Sequence, residues 1–288
     1  MTDITAAHFV AGMLGGSLLR HWYEDGEANE RRMAELVGVL ERLDEPPLSW
    51  RLNPVERDLE QGYAEWAPDY DGPNPLIATE RPIVQAVLTR LAGEGVRALD
   101  AACGTGRHAE YLADLGCDTV GVDRSEAMLA AARTKSTSVE YELGDIEALP
   151  YEDATFDLVV ISLALCHLAD PTAAVVELGR VLRPGGTLVI SDLHPTNAIV
   201  GGQAFYATAT PERPMPWVRN HYHLTSTWLP AFERGGLDVE ECREVPPSEE
   251  QIEAVPIYGF FPEATRTAME GLPVLWVWQL TRRGRSDR

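Results

Sequence analysis

The sequence predicts an α/β fold in which helices cover both faces of a mostly parallel β-sheet. Between residues 93 and 194, short apolar runs alternate with segments whose apolar residues recur at helical spacing. A glycine-containing turn separates the first of these runs from the helix that follows it. With 288 residues, of which 45% are hydrophobic, the chain is long enough for one large α/β domain with additional segments.

Residues 1–92 are predicted to form a helical extension followed by a lid segment. The apolar residues of 4–43 follow the spacing of two amphipathic helices that separate near Asp25-Gly26. Residues 44–75 are rich in proline, aspartate and aromatic residues, which favours short helices or irregular structure, and residues 77–91 suit a helix. The apolar pair of N-terminal helices is compatible with packing on the domain or with a homodimer.

Residues 93–194 are predicted to be the core of the domain. Ligands of parallel sheets bind at the carboxyl ends of the strands, so the residues that follow each strand are the candidates for a site. We expect strands near residues 96–101, 118–123, 138–142, 156–162 and 187–193, with helices near 107–115, 126–134 and 171–181.

The rest of the chain is predicted to cap and complete the core. Proline and aromatic residues are dense just after the fifth strand, which indicates an insertion that covers the site. A Gly-Gly pair then ends a helix as a C-cap would. We expect the cap at 195–222, the C-terminal part of the core at 223–288 with a helix at 223–235 and strands at 239–245 and 274–281, and a second insertion with helical parts at 246–273.

Composition excludes several classes of function. A net charge of −21 opposes binding to nucleic acids and to anionic membranes. The four cysteines are far apart without a CxxC spacing, which is typical of reduced cytoplasmic thiols and predicts neither disulfides nor a metal site. The first apolar run is broken by Gly15-Gly16 and follows no basic residue, so we expect neither a signal peptide nor a membrane span.

The stretch "LDAACGTGRHAEYLADLGCDTVGVDRS", residues 99–125, has the pattern of a strand, a tight loop, a helix and a second strand. Gly104 and Gly106 allow the backbone to approach a ligand closely, and the helix N-terminus offers unpaired N–H groups to anionic atoms. Asp123, at the end of the second strand, can accept hydrogen bonds from both hydroxyls of a ribose. The stretch therefore predicts a nucleoside site, and both adenine dinucleotides and S-adenosylmethionine (SAM) fit it.

One acidic residue distinguishes a SAM site from a dinucleotide site. The spacing Gly104-x-Gly106-x-x-Ala109, with Asp123 beyond it, satisfies the dinucleotide fingerprint, so an NAD(P)-dependent oxidoreductase is an alternative. Asp100 precedes these glycines and has no task at a pyrophosphate. It can hold the methionine ammonium of SAM, directly or through water. We therefore expect SAM as the cofactor and S-adenosylhomocysteine as its product.

Five motifs in order resemble those of the class I SAM-dependent methyltransferases, in particular the type 11-like group that acts on small molecules. The motifs are "LDAACGTG", "GVDRSEAML", "GDIEALPYEDATFDLVV", "LCHLAD" and "LRPGG", and the resemblance covers about residues 63–283. It implies a Rossmann-like sheet that is mostly parallel with an antiparallel last strand. It also implies that the protein is an enzyme that transfers methyl groups.

The resemblance also implies roles for residues in this chain. The glycine loop would accommodate the methionine portion of SAM, Asp123 the ribose, Met128 one face of the adenine, and Asp145 its exocyclic amine. Two aromatic residues upstream of the core would form a lid. The implied cofactor-binding residues are Tyr63, Tyr70, Asp100, Ala102, Gly104, Gly106, Asp123, Arg124, Met128, Gly144, Asp145, Ile146 and Leu163.

Methyl transfer is an in-line displacement at a sulfonium, so the protein has to align the reactants, exclude water and, for some acceptors, remove a proton. Histidines at the carboxyl edge of the predicted sheet are the candidate bases. His223 and His194 are the two that we predict, whereas His167 is expected to be structural or close to the cofactor.

The acceptor pocket is predicted to lie in the two insertions, where aromatic residues concentrate. The function that we predict is O-methylation of a small secondary-metabolite-type acceptor in the cytoplasm. The alternatives are a C- or N-methyltransferase, the NAD(P)-dependent oxidoreductase, and a SAM-binding scaffold or non-methylating catalyst on the same fold. Candidate acceptor-binding residues are Phe205, Tyr206, Trp217, Arg219, His221, Tyr222 and Tyr258.

Overall fold

The computed structural model describes residues 4–20, 22–23, 25–206 and 215–284. The chain begins with two helices, passes through short strands, and reaches the core through a third and a fourth helix. The elements are β1 (Ile4–Thr5), α1 (Ala6–Arg20), α2 (Gly26–Leu40), β2 (Arg51–Leu52), β3 (Pro54–Arg57), α3 (Leu59–Trp66) and α4 (Pro75–Leu91).

The core alternates strands and helices, as its apolar pattern predicts. Serine at the N-cap of the second core helix accepts a hydrogen bond from the Met128 amide, which explains where that helix begins. The core elements are β4 (Arg97–Ala101), α5 (Arg107–Asp114), β5 (Asp118–Asp123), α6 (Glu126–Lys135), β6 (Glu140–Leu143), β7 (Phe156–Ser162), α7 (Thr172–Val181) and β8 (Leu182–Leu193).

The C-terminal part adds a small cap and the last strands of the sheet. A helix predicted at 223–235 begins two residues later, and it contains Pro230. The elements are β9 (Ala204–Phe205), β10 (Met215–Val218), α8 (Thr225–Arg234), β11 (Leu237–Val245), α9 (Glu249–Glu253), α10 (Pro262–Met269) and β12 (Leu275–Arg282).

Seven strands form the central sheet, in the order β11-β12-β8-β7-β4-β5-β6. The strands β4 to β8 are mutually parallel, and β12 runs antiparallel to both of its neighbours. The predicted fold, a mostly parallel sheet with an antiparallel last strand, is confirmed. One difference concerns β8, which already begins at Leu182 opposite Phe156; its register shifts at the Pro-Gly-Gly turn before the regular ladder resumes.

The two faces of the sheet carry separate apolar layers. Alternate residues of β7 point to opposite faces, so Val159 and Ile161 pack with α7 and α8, whereas Leu158 and Val160 pack with α4 and α5. Although the predicted extension ends at residue 92, its last helix, α4, packs against the sheet.

The second insertion joins the N-terminal helices. Leu14 of α1, Val39 of α2 and Ala264 of α10 bury one another in a cluster separate from the sheet layers. The cap sheet is likewise built from two parts of the chain, since β3 pairs in parallel with β10, which pairs antiparallel with β9. Among the described residues, no helix combines the length and the apolar content needed to cross a membrane.

Candidate active site

Two adjoining clefts open at the carboxyl ends of the central strands, where parallel sheets bind their ligands. The main cleft contains about 720 Å³ of space free of protein atoms and the side cleft about 460 Å³, in both cases including space open to solvent. The main cleft is lined by Leu59, Glu60, Tyr63, Tyr70, Ala102, Gly104, Asp123, Arg124, Ser125, Met128, Gly144, Asp145, Ile146, Ser162, Leu163, Ala164, His167 and Leu168.

The loop after β4 brings backbone to the floor of both clefts. Ala102 (φ 55°), Gly104 (φ 54°) and Gly106 (φ 88°) all adopt the left-handed conformation. For alanine this conformation costs about 1–2 kcal/mol, and it persists only where the surroundings fix it. Gly106 lines neither described cleft. A Cβ there would lie 2.3 Å from Tyr141 Oη, so close packing also requires glycine at this position, and the ligand contact of Gly106 stays a prediction.

Asp123, the last residue of β5, is oriented by backbone amides. Its Oδ2 accepts from Gly104 N at 2.8 Å and its Oδ1 accepts from Ser125 N at 2.8 Å. Burial raises the pKa of this carboxyl, although the two amide hydrogen bonds oppose the shift. A carboxylate has about four acceptor positions, so each oxygen keeps one for a pair of vicinal hydroxyls.

The outer part of the main cleft combines apolar walls with one acid. Met128 is buried on α6 and Ile146 follows β6, so both line the cleft with apolar atoms. Asp145 is exposed at the opening, and its Oδ1 accepts from Glu147 N at 2.9 Å. Arg124 and Gly144 complete this part of the wall.

Asp100 lines the side cleft, which adjoins the main cleft and shares Tyr70, Ala102, Gly104 and Ser162 with it. Its Oδ2 accepts from Ala109 N at 2.8 Å, and burial raises the pKa of the carboxyl to about 6. Glu80 of α4 is also buried nearby. Burial alone would raise the pKa of Glu80, but the hydrogen bond with His108 and the charge of Arg107 lower it to about 2.

At the other end of the main cleft, Tyr63 of α3 meets His167. The two heteroatoms, Tyr63 Oη and His167 Nε2, are 2.6 Å apart, and His167 Nδ1 lies 3.0 Å from the Arg219 carbonyl oxygen. Tyr63 also stacks on Trp66, which in turn stacks on Tyr206 of the cap at a centroid distance of 5.2 Å. The lid segment therefore connects the cleft to the cap.

Comparison with known proteins agrees with this geometry. Residues 99–190 match the family described as a methyltransferase domain. A SAM-dependent methyltransferase from Mesorhizobium loti, at 26% identity and a TM-score of 0.54, covers 71% of this chain and 98% of its own. The chain carries a class I SAM-dependent methyltransferase domain. Its cofactor is SAM.

The curated relatives match the methyltransferase domain and not the whole chain. A demethylmenaquinone methyltransferase of Renibacterium salmoninarum is 39% identical over 137 residues, 45% of this chain and 56% of the relative. A malonyl-[acyl-carrier protein] O-methyltransferase of Enterobacter lignolyticus is 39% identical over 142 residues, 49% of this chain and 55% of the relative. The chain thus spans about half the length of these relatives.

The residues of the methyltransferase domain fit its cofactor. The cleft places an amide-held carboxylate, Asp123, between the apolar pair Met128 and Ile146 and the glycine loop, as a nucleoside requires. The buried carboxyl of Asp100, bound by a single amide hydrogen bond in the structure, faces the side cleft and retains acceptor positions for an ammonium group.

The histidines predicted to be catalytic do not line either described cleft. His194 Nδ1 accepts from Thr196 N, and its Nε2 lies 3.4 Å from Glu244 Oε1, so both ring nitrogens have partners. His223 is buried, with Nε2 3.1 Å from the Leu165 carbonyl oxygen and its ring edge-on to Trp228. A ring nitrogen of each histidine is bound within the surrounding loops, and the assignment of either residue as the base stays a prediction.

None of the seven predicted acceptor residues lines either described cleft. Tyr206 stacks on Trp66 of the lid segment, and Phe205 and Trp217 are paired across the cap strands. The His221 amide donates to Cys166 O, and the ring of Tyr222 packs beside Cys166. Tyr258 lies apart from them, between α9 and α10, where it accepts from Arg266. Arg219 is exposed and pairs with Glu56.

Several residues that line the main cleft were not predicted from the sequence. Glu60 and Leu168 lie at the cap end of the main cleft, and Ser125 and Ser162 follow β5 and end β7. The serines could have been found as strand-end residues. His167 is part of the quoted motif "LCHLAD", but its pairing with Tyr63 joins residues 104 positions apart and left no local signal.

Proposed function

We propose that the chain transfers a methyl group from SAM to an oxygen atom of a small metabolite. The main support for this proposal is the lining of the main cleft. Asp123, Met128 and Asp145 lie at the carboxyl ends of the strands, and His167 lies at the other end of the cleft. The names of the relatives, which include O-methyltransferases of malonyl-[acyl-carrier protein] and of ubiquinone biosynthesis, support oxygen as the acceptor atom.

The chain's own residues have separate tasks in binding. Asp123 would accept from the ribose hydroxyls, Asp145 from the adenine amine, and Asp100 from the methionine ammonium. Met128 and Ile146 would enclose the adenine, while Arg124, Gly144 and Leu163 would lie beside it as wall residues. Ala102, Gly104 and Tyr70, which line both clefts, would contact the methionine portion.

When bound, SAM supplies an activated methyl group on its sulfonium sulfur. The remaining work belongs to the protein: it has to exclude water and hold the acceptor in line. The lid segment suits this task, since Leu59 and Tyr63 line the main cleft and Trp66 stacks on the cap. Phe205, Tyr206, Trp217 and Tyr222 are the proposed sources of acceptor contacts in the cap.

The proposed setting of the reaction is the cytoplasm. All four cysteines are free thiols, and Cys103, Cys117 and Cys166 are buried. Thiols persist in a reducing compartment, which supports this location. A homodimer through α1 and α2 stays a prediction.

A thermal-shift experiment with SAM, S-adenosylhomocysteine, NAD and NADP tests the cofactor. A ligand at about 100 times its Kd stabilises the native state by about 2.7 kcal/mol, so we expect a raised Tm with the two adenosyl ligands alone. Incorporation of labelled methyl groups into an acceptor then tests the reaction. A shift with NAD or NADP alone would overturn the proposal; SAM binding without incorporation would favour the non-methylating alternative.

A further inference from the structure

The hydrogen bonds around His167 fix which of its nitrogens is basic. A carbonyl oxygen can only accept, so the Arg219 carbonyl, 3.0 Å away, requires that Nδ1 carries the hydrogen. Nε2 of the neutral ring then carries an unprotonated lone pair. The Tyr63 hydroxyl, 2.6 Å from Nε2, donates to this lone pair. The pair is therefore oriented, with the proton on Tyr63 and the accepting nitrogen on His167.

The surroundings keep both groups neutral near pH 7. Burial lowers the pKa of His167 and outweighs its bond to the Arg219 carbonyl, while the neighbouring His221 lowers it further. Burial also raises the pKa of Tyr63 well above its ordinary value, and the nearby Tyr70 and Cys166 act in the same direction. A neutral imidazole with a free lone pair is the form that can accept a proton.

The charges that line the main cleft disfavour an anionic acceptor. Glu60, Asp123 and Asp145 oppose a single guanidinium, Arg124, among the described lining residues. A carboxylate needs no base and would be repelled by this surface. A neutral hydroxyl is not repelled, and it loses its proton only with the help of a base. The charge pattern and the oriented histidine thus select the same class of acceptor.

We propose that Tyr63 and His167 form a proton relay that deprotonates an uncharged hydroxyl group of the acceptor. This inference rests on the proposed function. The acceptor O–H bond breaks as its proton passes to Tyr63 Oη, and the Tyr63 proton passes to His167 Nε2. The oxygen's electron pair bonds to the methyl carbon, while the C–S electron pair stays on sulfur. The imidazolium then releases its proton to solvent.

Nitrogen NMR of the purified protein tests the relay without any acceptor. With labelled histidine, we expect His167 to be the neutral Nδ1–H tautomer at pH 7, titrating below 6.5, the ordinary pKa. Tyr63→Phe should shift the Nε2 resonance, and Tyr111→Phe, whose hydroxyl pairs with Thr89 away from the clefts, should not. An Nε2–H tautomer or an imidazolium at pH 7 would overturn the relay.

Turnover of three matched probe acceptors tests the chemical class. We would assay 2-naphthol, 2-naphthoic acid and 2-(aminomethyl)naphthalene with labelled SAM, because aromatic residues line the cap. We expect methylation of 2-naphthol, and a loss of about 10²–10⁴-fold in His167→Asn, which keeps a donor for the Arg219 carbonyl. Methylation of only the acid or the amine, or of none of the three, would overturn the neutral-hydroxyl class.

Three further readouts separate a relay from a structural role. Wild-type kcat should rise with pH through the His167 titration, and this limb should vanish in His167→Asn. The double variant Tyr63→Phe/His167→Asn should be no slower than the slower single variant. His8→Asn, at an exposed position of α1, is the control and should behave as wild type. Wild-type SAM affinity in His167→Asn keeps the proposed function intact, whereas a wild type that does not bind SAM refutes that function first.

Discussion

On the wall of the main cleft formed by β4, β5 and β6, carboxylates accept hydrogen bonds from backbone amides of residues nearby in the sequence. At the opposite end of the cleft, hydrogen bonds join side chains that are far apart in the sequence. Asp123 binds the amides of Gly104 and Ser125, at most 19 positions away. Tyr63 and His167 are 104 positions apart, and the hydrogen bond between Glu65 and Tyr206 spans 141. The wall proposed to bind the cofactor is thus held by local contacts, and the end proposed to bind the acceptor is assembled by tertiary packing.

The largest expected effect concerns Gly106, in the loop that also carries the wall residues Ala102 and Gly104. Gly106→Ala forces a Cβ against Tyr141 Oη at a left-handed φ, so we expect a loss of about 2–5 kcal/mol in the free energy of unfolding. Gly185→Ala is the matched control, since Gly185 also has positive φ (80°) but nothing within 4 Å of its Cβ position. It should lose only about 1–2 kcal/mol in urea titration. Equal losses would show that packing against Tyr141 is unimportant.

The difference between local and long-range contacts explains which parts of the structure could be predicted from the sequence. Strand and helix periodicity placed β4, β5 and β7 to within a residue or two, because each is a buried element with its own apolar pattern. The cap was not predictable in the same way. Its sheet needs β3 beside β10, and no residue near Pro54 indicates that its partner in the sheet is Met215.

The next largest expected effect is on stability and concerns the buried acid Glu80. Glu80 is ion-paired with Arg107 and accepts from Ser191, and its pKa is about 2. Glu80→Gln should therefore cost about 3 kcal/mol at pH 7, because the folded state favours the carboxylate over the protonated acid by about this amount. The wild-type carboxylate stabilises the fold fully above its unfolded pKa of 4.5. That advantage should shrink as the pH falls from about 5 towards 2.

Asp100 supplies the control for this titration, because burial shifts its pKa the other way, to about 6. The folded state disfavours the Asp100 carboxylate, so Asp100→Asn should gain stability above pH 6 and lose that gain below its ordinary pKa of 3.8. Denaturation curves at several pH values measure both variants. The same pH dependence in Glu80→Gln and Asp100→Asn would contradict the assignment of Glu80 as the paired acid.

A smaller effect is expected on SAM affinity, and one substitution at each end of the main cleft measures it. Asp123→Asn removes the charge and one of two amide hydrogen bonds, so the Kd of SAM should rise about 10- to 100-fold. Glu65→Gln alters the contact between α3 and the cap, behind the opposite wall, where Glu65 accepts from Tyr206, and should change the Kd less than twofold. Isothermal titration calorimetry measures both. If Glu65→Gln weakened SAM as much as Asp123→Asn, the two walls would not act separately.

The histidines show why the acceptor end resists prediction from sequence. His194, His223 and His167 all follow central strands or open the next helix, so their positions along the chain are equivalent. Only the fold separates them. A ring nitrogen of His194 is hydrogen-bonded to Thr196, and one of His223 to the Leu165 carbonyl. Of the three histidines, only His167 lines the main cleft.

The smallest effect concerns Arg219, whose main chain and side chain have different partners. Its carbonyl orients His167, while its exposed guanidinium pairs with Glu56 at 2.8 Å and lies over Trp217. Exposed pairs contribute little, so Arg219→Ala should lose less than about 1 kcal/mol of stability, and less still in high salt. The backbone bond to His167 survives the substitution, so kcat should hold within about twofold. A large rise in the KM of the acceptor with unchanged stability would instead place the guanidinium against the acceptor, as the sequence predicted.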